Sequence, residues 1–325
     1  MQPVGTVAQL WRFPVKSMAG ESLERADVIP TGVIGDRLWA VRDEEKKCVT
    51  GGKRIPALMT CRARFLSEPA PDAMGDRVPP VAIALPDGTE LSSDRPDVHA
   101  RLSDFLGRAV TLCPRRRADE RAHYRAPRAT KADFRQQFGL GPNEPIPDFS
   151  MFPTAVLIQL SRYATPPGSY FDAYELHILT TASLAELARR APAADFAPLR
   201  FRPNLLVDTG TGTATGFAEA DWCGGTLSAG ELRSRIEIPT VRCSMTMRPQ
   251  PGLAADPGVL AGLVEHAQRL AGVYARVERP GVVRLGDPVA VETAGRARVG
   301  GWVKASARSI RRLALRASAA VMPDE

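Results

Sequence analysis

Hydrophobic and polar residues alternate in short runs along most of this chain. Residues 4–66 read as strands between turns. Val4 to Trp11 and Leu38 to Arg42 are β-rich, and turn chemistry separates such runs at Thr31-Gly32, Ile34-Gly35-Asp36 and Thr50-Gly51-Gly52. The pattern continues through Val81 to Leu85, the Pro86-Asp87-Gly88-Thr89 turn and Glu90-Leu91. Asp97 to Gly107 reads as a short helix stopped by glycine, and Ala109 to Leu112 as a strand. Arg115 to Phe152 is charged and interrupted by prolines, and reads as a domain boundary.

A second β-rich region begins near Met151. Ser183-Leu184-Ala185-Glu186 has the form of a capping box, with Leu184, Leu187 and Ala188 at helical spacing before Pro192. Strands are expected at Asn204 to Asp208, Leu232 to Ile238 and Val273 to Val277, with a closing β-rich stretch from Val282 to Val289; a helix is expected at Gly258 to Ala271. No internal repeat appears. Over residues 302–321, Val303, Ala307, Ile310, Ala314, Ala317 and Val321 share one helical face, opposite Lys304, Arg308, Arg311, Arg312 and Arg316. This basic amphipathic tail is expected to dock on the protein's own body, or on a membrane surface or acidic partner; nucleic acid is the weakest reading.

Composition narrows the class. In 325 residues, 28 prolines and 27 glycines exclude a bundle of long helices, and no run is long and apolar enough for a membrane helix. The first residues lack the basic and apolar blocks of a secretion signal, so a cytoplasmic protein is expected. The net charge of +7 resides mostly in the tail, where seven basic residues from Arg296 onward face only Asp324 and Glu325. No specific nucleic-acid binding is therefore expected of the nearly neutral body. Five cysteines, Cys48, Cys61, Cys113, Cys223 and Cys243, form no C-x-x-C pair, which excludes zinc knuckles, thioredoxin chemistry and a ferredoxin cluster.

The candidate chemistry lies in loops. No G-x-S-x-G, G-x-G-x-x-G or Walker motif occurs, and His99, His123, His177 and His266 form no metal-ligand pair, so each reads as a structural or surface histidine. Lys16 and Ser17, after Phe13-Pro14-Val15, offer a point charge and a hydroxyl to a phosphate. Arg37 follows Gly35-Asp36, and Phe201-Arg202-Pro203-Asn204 offers another cation and an amide. Thr180 and Thr181 precede a helix whose free N–H groups suit an anion. In Arg242-Cys243-Ser244-Met245-Thr246, an arginine adjoins a thiol and favours its thiolate, the form that binds soft metals.

Taken together these segments resemble the MOSC family. The resemblance runs from Val4 to about Val291. It is carried by the opening G-x-V-x-x-L-x-x-x-P-V-K-S, Gly35-Asp36-Arg37, Thr180 to Leu184, Phe201 to Asn204, Phe217 to Trp222, and Arg242-Cys243-x-Met245-Thr246, then by Gly272 to Ala275 and Pro280-Gly281 with Gly286 to Val289. It implies an α+β, β-rich fold, with a MOSC N-terminal β-barrel domain at 1–118, a MOSC β-barrel domain at 119–295 and the tail at 296–325. The family includes the mitochondrial amidoxime-reducing components and bacterial N-hydroxylated-base reductases, which bind a pyranopterin molybdenum cofactor. The resemblance implies that Cys243 is the protein's ligand to molybdenum and the catalytic residue. Lys16, Ser17, Arg37, Thr180, Thr181, Arg202 and Asn204 would hold the pterin and its phosphate, and Arg242 and Ser244 would frame the metal. Asp221 and Trp222 face the site or, on the blander reading, form a turn and a core contact.

The implied activity is reduction of a small N-hydroxylated or related N–O substrate, with electrons from a separate electron-transfer protein. A non-catalytic carrier of the cofactor, or a sulfur-transfer protein using Cys243, is the alternative. After the cysteine the sequence runs Thr246-Met247-Arg248-Pro249 where the family pattern is often Thr-Thr-x-Asp, so no substrate contact there is carried over.

Overall fold

The structure is a computed structural model that describes residues 1–127, 129–141, 144–210 and 216–293. The tail at 296–325, with its amphipathic stretch, lies outside the described residues. The fold is α+β and β-rich. Its centre is a closed barrel of seven strands in the order Leu205–Asp208, Leu176–Thr180, Leu270–Arg279, Leu232–Val241, Thr226–Ala229, Pro288–Glu292 and Gln2–Arg12, the last pairing back onto the first. Neighbours run antiparallel except Leu176–Thr180 and Leu205–Asp208, whose parallel pairing is bridged by the helix Thr181–Arg190. Leu232–Val241 shows why these segments become barrel strands: Leu232, Ser234, Ile236, Ile238 and Thr240 are buried, alternating with more exposed neighbours. Leu232 and Ile236 meet Leu176, Ile178, Leu205, Val207 and Val273 in one core, each such side chain contributing about 1.5–3 kcal/mol relative to exposure.

The N-terminal β-barrel domain encloses a separate core. Two three-stranded sheets, Val110–Pro114 with Trp39–Asp43 and Cys48–Val49, and Arg62–Phe65 with Val81–Ala84 and Glu90–Ser92, surround Val15, Met18, Leu58, Ile83 and Leu102. The helix Val98–Leu106 ends at Gly107, in the left-handed region, as its glycine predicts. The two barrels interleave along the chain. The opening strand Gln2–Arg12 belongs to the second barrel, and Ala26, Val28 and Val33 pack in that barrel's core. Residues 1–118 thus serve two cores.

Three local expectations change. The helix over 181–190 is capped by Thr180, whose Oγ1 accepts the Ser183 N–H at 3.2 Å, so it begins ahead of the Ser183 box. Ser183 is diverted because its hydroxyl donates to buried Glu219 at 2.5 Å, while Glu186 pairs with Arg189 and Arg190. The helix expected at 258–271 spans Pro257–Ala267, stopped by left-handed Gln268 (φ 51°) and Arg269 (φ 64°), and the next strand starts at Leu270. The stretch from Arg115 to Phe152 is no bare connector. It contains the helices Arg121–Tyr124 and Lys131–Phe138, and Thr154–Arg162 follows it.

Candidate functional site: a cationic cavity around Cys243

The loops between the two barrels converge on one cavity enclosing about 1030 Å³ of space free of protein atoms, its mouth included. Lys16, Ser17, Arg37, Arg202, Asn204, Arg242 and Cys243 all line it. Lys53, Asp172, His177, Arg200 and Tyr274 join them, so six cationic side chains face the cavity with one carboxylate. Three lining residues, Ser17 (φ 73°), Arg37 (φ 52°) and Arg202 (φ 56°), hold left-handed backbone that non-glycine residues rarely adopt. Such conformations cost about 1–3 kcal/mol each and persist where the surroundings over-determine them.

The surroundings here are a chain of buried hydrogen bonds. Asp36 accepts the Phe13 N–H at 2.7 Å and the Asn204 amide at 3.0 Å, and pairs with Arg37. Asn204 Oδ1 in turn accepts the His177 N–H at 3.1 Å. The amide of Asn204 is therefore committed to the framework. Ser17 Oγ accepts the Gly52 N–H at 2.8 Å, an approach that needs a glycine next door, because a Cβ on Gly51 would sit 2.6 Å from that oxygen.

Arg202 donates to the Met18 carbonyl at 2.7 Å and lies over the Phe13 ring at 4.1 Å, leaving its buried Nη2 without a hydrogen-bond partner. Arg242 donates to the Phe201 carbonyl at 2.7 Å, and its buried Nε is likewise unpartnered. Orphan guanidinium N–H groups are costly unless a ligand takes them up. Burial, reinforced by Arg37, pushes the Arg202 guanidinium down to about 9. An anion entering the cavity would relieve that.

Lys16 is engaged within the protein: its Nζ donates to the Tyr170 carbonyl at 2.9 Å and to Asp172 at 2.5 Å. Lys53 reaches the other oxygen of Asp172 at 3.3 Å. Burial pushes the Lys16 ammonium down. Burial also opposes charge on Asp172, but the two lysines hold that carboxylate well below the usual range. At Lys53, Asp172 and Cys243 outweigh burial and raise the ammonium.

His177, read from sequence as structural, lies at the cavity wall. Burial first, and then Arg242, hold its pKa well below normal, so the ring is neutral. Arg242 Nη1 lies 3.3 Å from Nε2 and the Arg202 carbonyl 3.3 Å from Nδ1. A guanidinium only donates and a carbonyl only accepts, which assigns the proton to Nδ1.

Thr180, Thr181 and Ser244 do not line the cavity. Thr180 Oγ1 donates to Glu219 at 2.6 Å, Thr181 Oγ1 to Asp208 at 3.1 Å, and Ser244 Oγ to the Gln137 carbonyl at 2.8 Å. Asp221 is exposed and Trp222 is buried in the barrel core, the turn and core roles of the blander reading. Reading the sequence missed Lys53, Asp172, Glu219 and the cavity's apolar wall of Phe138, Phe149, Phe152 and Leu160. Only the Gly51-Gly52 turn hinted at Lys53.

A buried histidine also gives a pH prediction. Burial, aided by Arg116 and Arg42, lowers His123 from its ordinary 6.5 to about 4, and its Nε2 lies 2.8 Å from the Tyr170 hydroxyl. Below pH 6.5 the unfolded chain takes up a proton that the folded chain refuses. Stability therefore falls as pH drops from about 6.5 toward 4, by about 2 kcal/mol for this group after allowing for partial exposure. Denaturant melts of His123→Gln against wild type should show the difference shrinking or reversing in the variant's favour across that window. A constant difference would refute the assignment.

Fold and site together define a double β-barrel protein with a thiol in a cation-lined cavity. Two family models match, the MOSC N-terminal beta barrel domain over residues 4–101 and the MOSC domain over 167–290, and the chain belongs to the MOSC family. It is 26% identical over 323 residues to mitochondrial amidoxime-reducing component 1 of Mus musculus, covering 89% of this chain and 83% of that protein. It is 27% identical over 313 residues to mitochondrial amidoxime reducing component 2 of Bos taurus, covering 89% and 84%. To component 1 of Homo sapiens it is 25% identical over 316 residues, covering 89% and 83%.

Proposed function

We propose that this protein is a molybdenum-cofactor-dependent reductase of N-hydroxylated or related N–O compounds, supplied with electrons by a separate redox protein. The observation that carries the reading is the meeting of Cys243 with buried, unpartnered donors of Arg202 and Arg242 in one cation-rich cavity. Among the described residues no group of three or more His, Cys, Asp or Glu lies together to hold a metal ion. A metal at Cys243 thus needs ligands beyond those the described residues supply, as a dithiolene would. A phosphorylated pterin suits the remaining donors.

On this reading Lys16, Ser17, Arg37, Arg202 and Arg242 hold the anionic group, with Lys53 beside them, and Cys243 provides the thiolate. Asn204, Thr180, Thr181 and Ser244 position the loops that carry these residues. When bound, the cofactor supplies the two-electron chemistry that breaks an N–O bond. The overall change, R–NHOH to R–NH2 and water, consumes two electrons and two protons. Neutral His177 keeps Arg242 aimed at the cavity, and the buried cations hold the anion without competing water.

The test is turnover of cofactor-loaded protein with an N-hydroxylated substrate. Reduced viologen should support it, whereas a reduced pyridine nucleotide alone should not, because the cysteine spacing provides no relay for its electrons. Robust turnover with the nucleotide alone would contradict the need for a partner. Cofactor that exchanges freely without any turnover would favour the carrier reading.

A further inference from the structure

We infer that the phenylalanine wall of the cavity selects substrates, and that the N–O compounds this protein reduces carry an uncharged aryl or similarly flat apolar substituent. The inference rests on the reductase reading and deepens it. Phe138, Phe149, Phe152 and Leu160 line the same cavity as Cys243. All four fall between residues 102 and 166, which neither family model matches. The wall is a feature of this chain's intervening segment, separate from the motifs that define the family.

The rings form a continuous surface. Phe134 stacks on Phe138 with centroids 4.6 Å apart, Phe149 meets Phe138 edge-on at 5.4 Å, and Phe152 follows Phe149 at 6.0 Å. This surface is tied to the loop that carries the thiol. Ser244, next to Cys243, donates to the Gln137 carbonyl at 2.8 Å. Arg269 donates to the Phe138 carbonyl at 2.8 Å and pairs with Glu144, and its own carbonyl accepts the Arg242 N–H at 2.7 Å. The same contacts therefore fix the wall and the reactive loop relative to each other.

Phe138, Phe149 and Leu160 keep part of their surface uncovered, and their side chains carry no hydrogen-bonding atom. They have nothing to offer a phosphate or a pterin edge, for which the cations are placed. What they reward is flat apolar area, with the offset or edge-on contacts that aromatic rings prefer. A substrate with its N–O group toward the thiol and an aryl group on this wall uses both halves of the cavity.

The experiment compares benzamidoxime with acetamidoxime as substrates of cofactor-loaded wild type, Phe149→Ala and Leu160→Ala, with reduced viologen as donor and melting temperature and molybdenum content as controls. Wild type should favour benzamidoxime in kcat/KM by at least about tenfold, and each variant should lower that preference about fivefold or more, chiefly through KM, with acetamidoxime changed less than about twofold. An unchanged preference, or equal losses on both substrates, would overturn the inference. If loaded protein turns over neither compound, the reductase reading fails, and calorimetric binding of benzamidoxime decides the wall by itself. Binding weakened in Phe149→Ala upholds it, and no binding to wild type overturns it.

Discussion

Replacing Cys243 by serine should strip the protein of molybdenum and of reductase turnover, by at least about a hundredfold in the latter, while leaving the melting temperature of the cofactor-free protein almost unchanged. The loop does not depend on the sulfur. The Cys243 carbonyl accepts the Thr246 N–H at 3.3 Å and the Thr246 hydroxyl at 3.1 Å, and the preceding Arg242 is anchored at Phe201 and Arg269. What serine cannot replace is a soft thiolate, since its neutral hydroxyl is a poor donor and its alkoxide a harder one. The other four cysteines should behave in the opposite way. Burial pushes the thiols of Cys61 and Cys223 up to about 12 and raises those of Cys48 and Cys113, which marks all four as packing groups. Serine there buries a hydroxyl at a cost of about 1–3 kcal/mol, so these variants should lose stability and keep the metal. The crossed pattern is the diagnostic. Full turnover in Cys243→Ser would remove the thiol from the chemistry.

Gly272→Ala should destabilise the fold by about 3 kcal/mol or more, the sum of left-handed backbone strain and overpacking. Gly272 has φ 75° within the barrel strand Leu270–Arg279. A Cβ there would lie 2.3 Å from His177 Nε2 and 2.8 Å from the Ile178 carbonyl oxygen, while the Gly272 N–H is held by Glu219 at 3.0 Å. The strand cannot retreat without giving up that buried bond, and His177 cannot retreat without leaving Arg242. In a protein of 325 residues a loss of about 3 kcal/mol corresponds to a fall of about 4–5 °C in Tm. Adding His177→Ala to the alanine variant should recover part of the loss, because it removes one of the two close contacts and leaves the other. A Tm within about 2 °C of wild type would show that the cavity wall yields more easily than its packing implies.

Local patterns made the barrel strands legible, and long-range pairing did not. The alternation in Val4 to Trp11 announces a strand, but nothing in those residues says that it closes the second barrel instead of opening the first. At the helix over 181–190, Ser183 has the right chemistry for a cap, yet buried Glu219, 36 positions further on, claims its hydroxyl and leaves the cap to Thr180. Lys16, Arg37, Arg202, Arg242 and Cys243 were findable because their motifs stand out. The left-handed backbone that aims Ser17, Arg37 and Arg202 was not, since no glycine or asparagine marks it. Lys53 and Asp172 are ordinary turn residues whose meeting depends on two distant loops. The phenylalanine wall was hidden in a segment whose charges and prolines read as a connector.

Cofactor binding is tested most directly by the metal and pterin content of the 325-residue protein made in cells that synthesise the cofactor and passed through gel filtration. The expected result is close to one molybdenum per chain, with a phosphorylated pterin released on denaturation. A folded protein, identical in melting behaviour but free of both molybdenum and pterin, would contradict it.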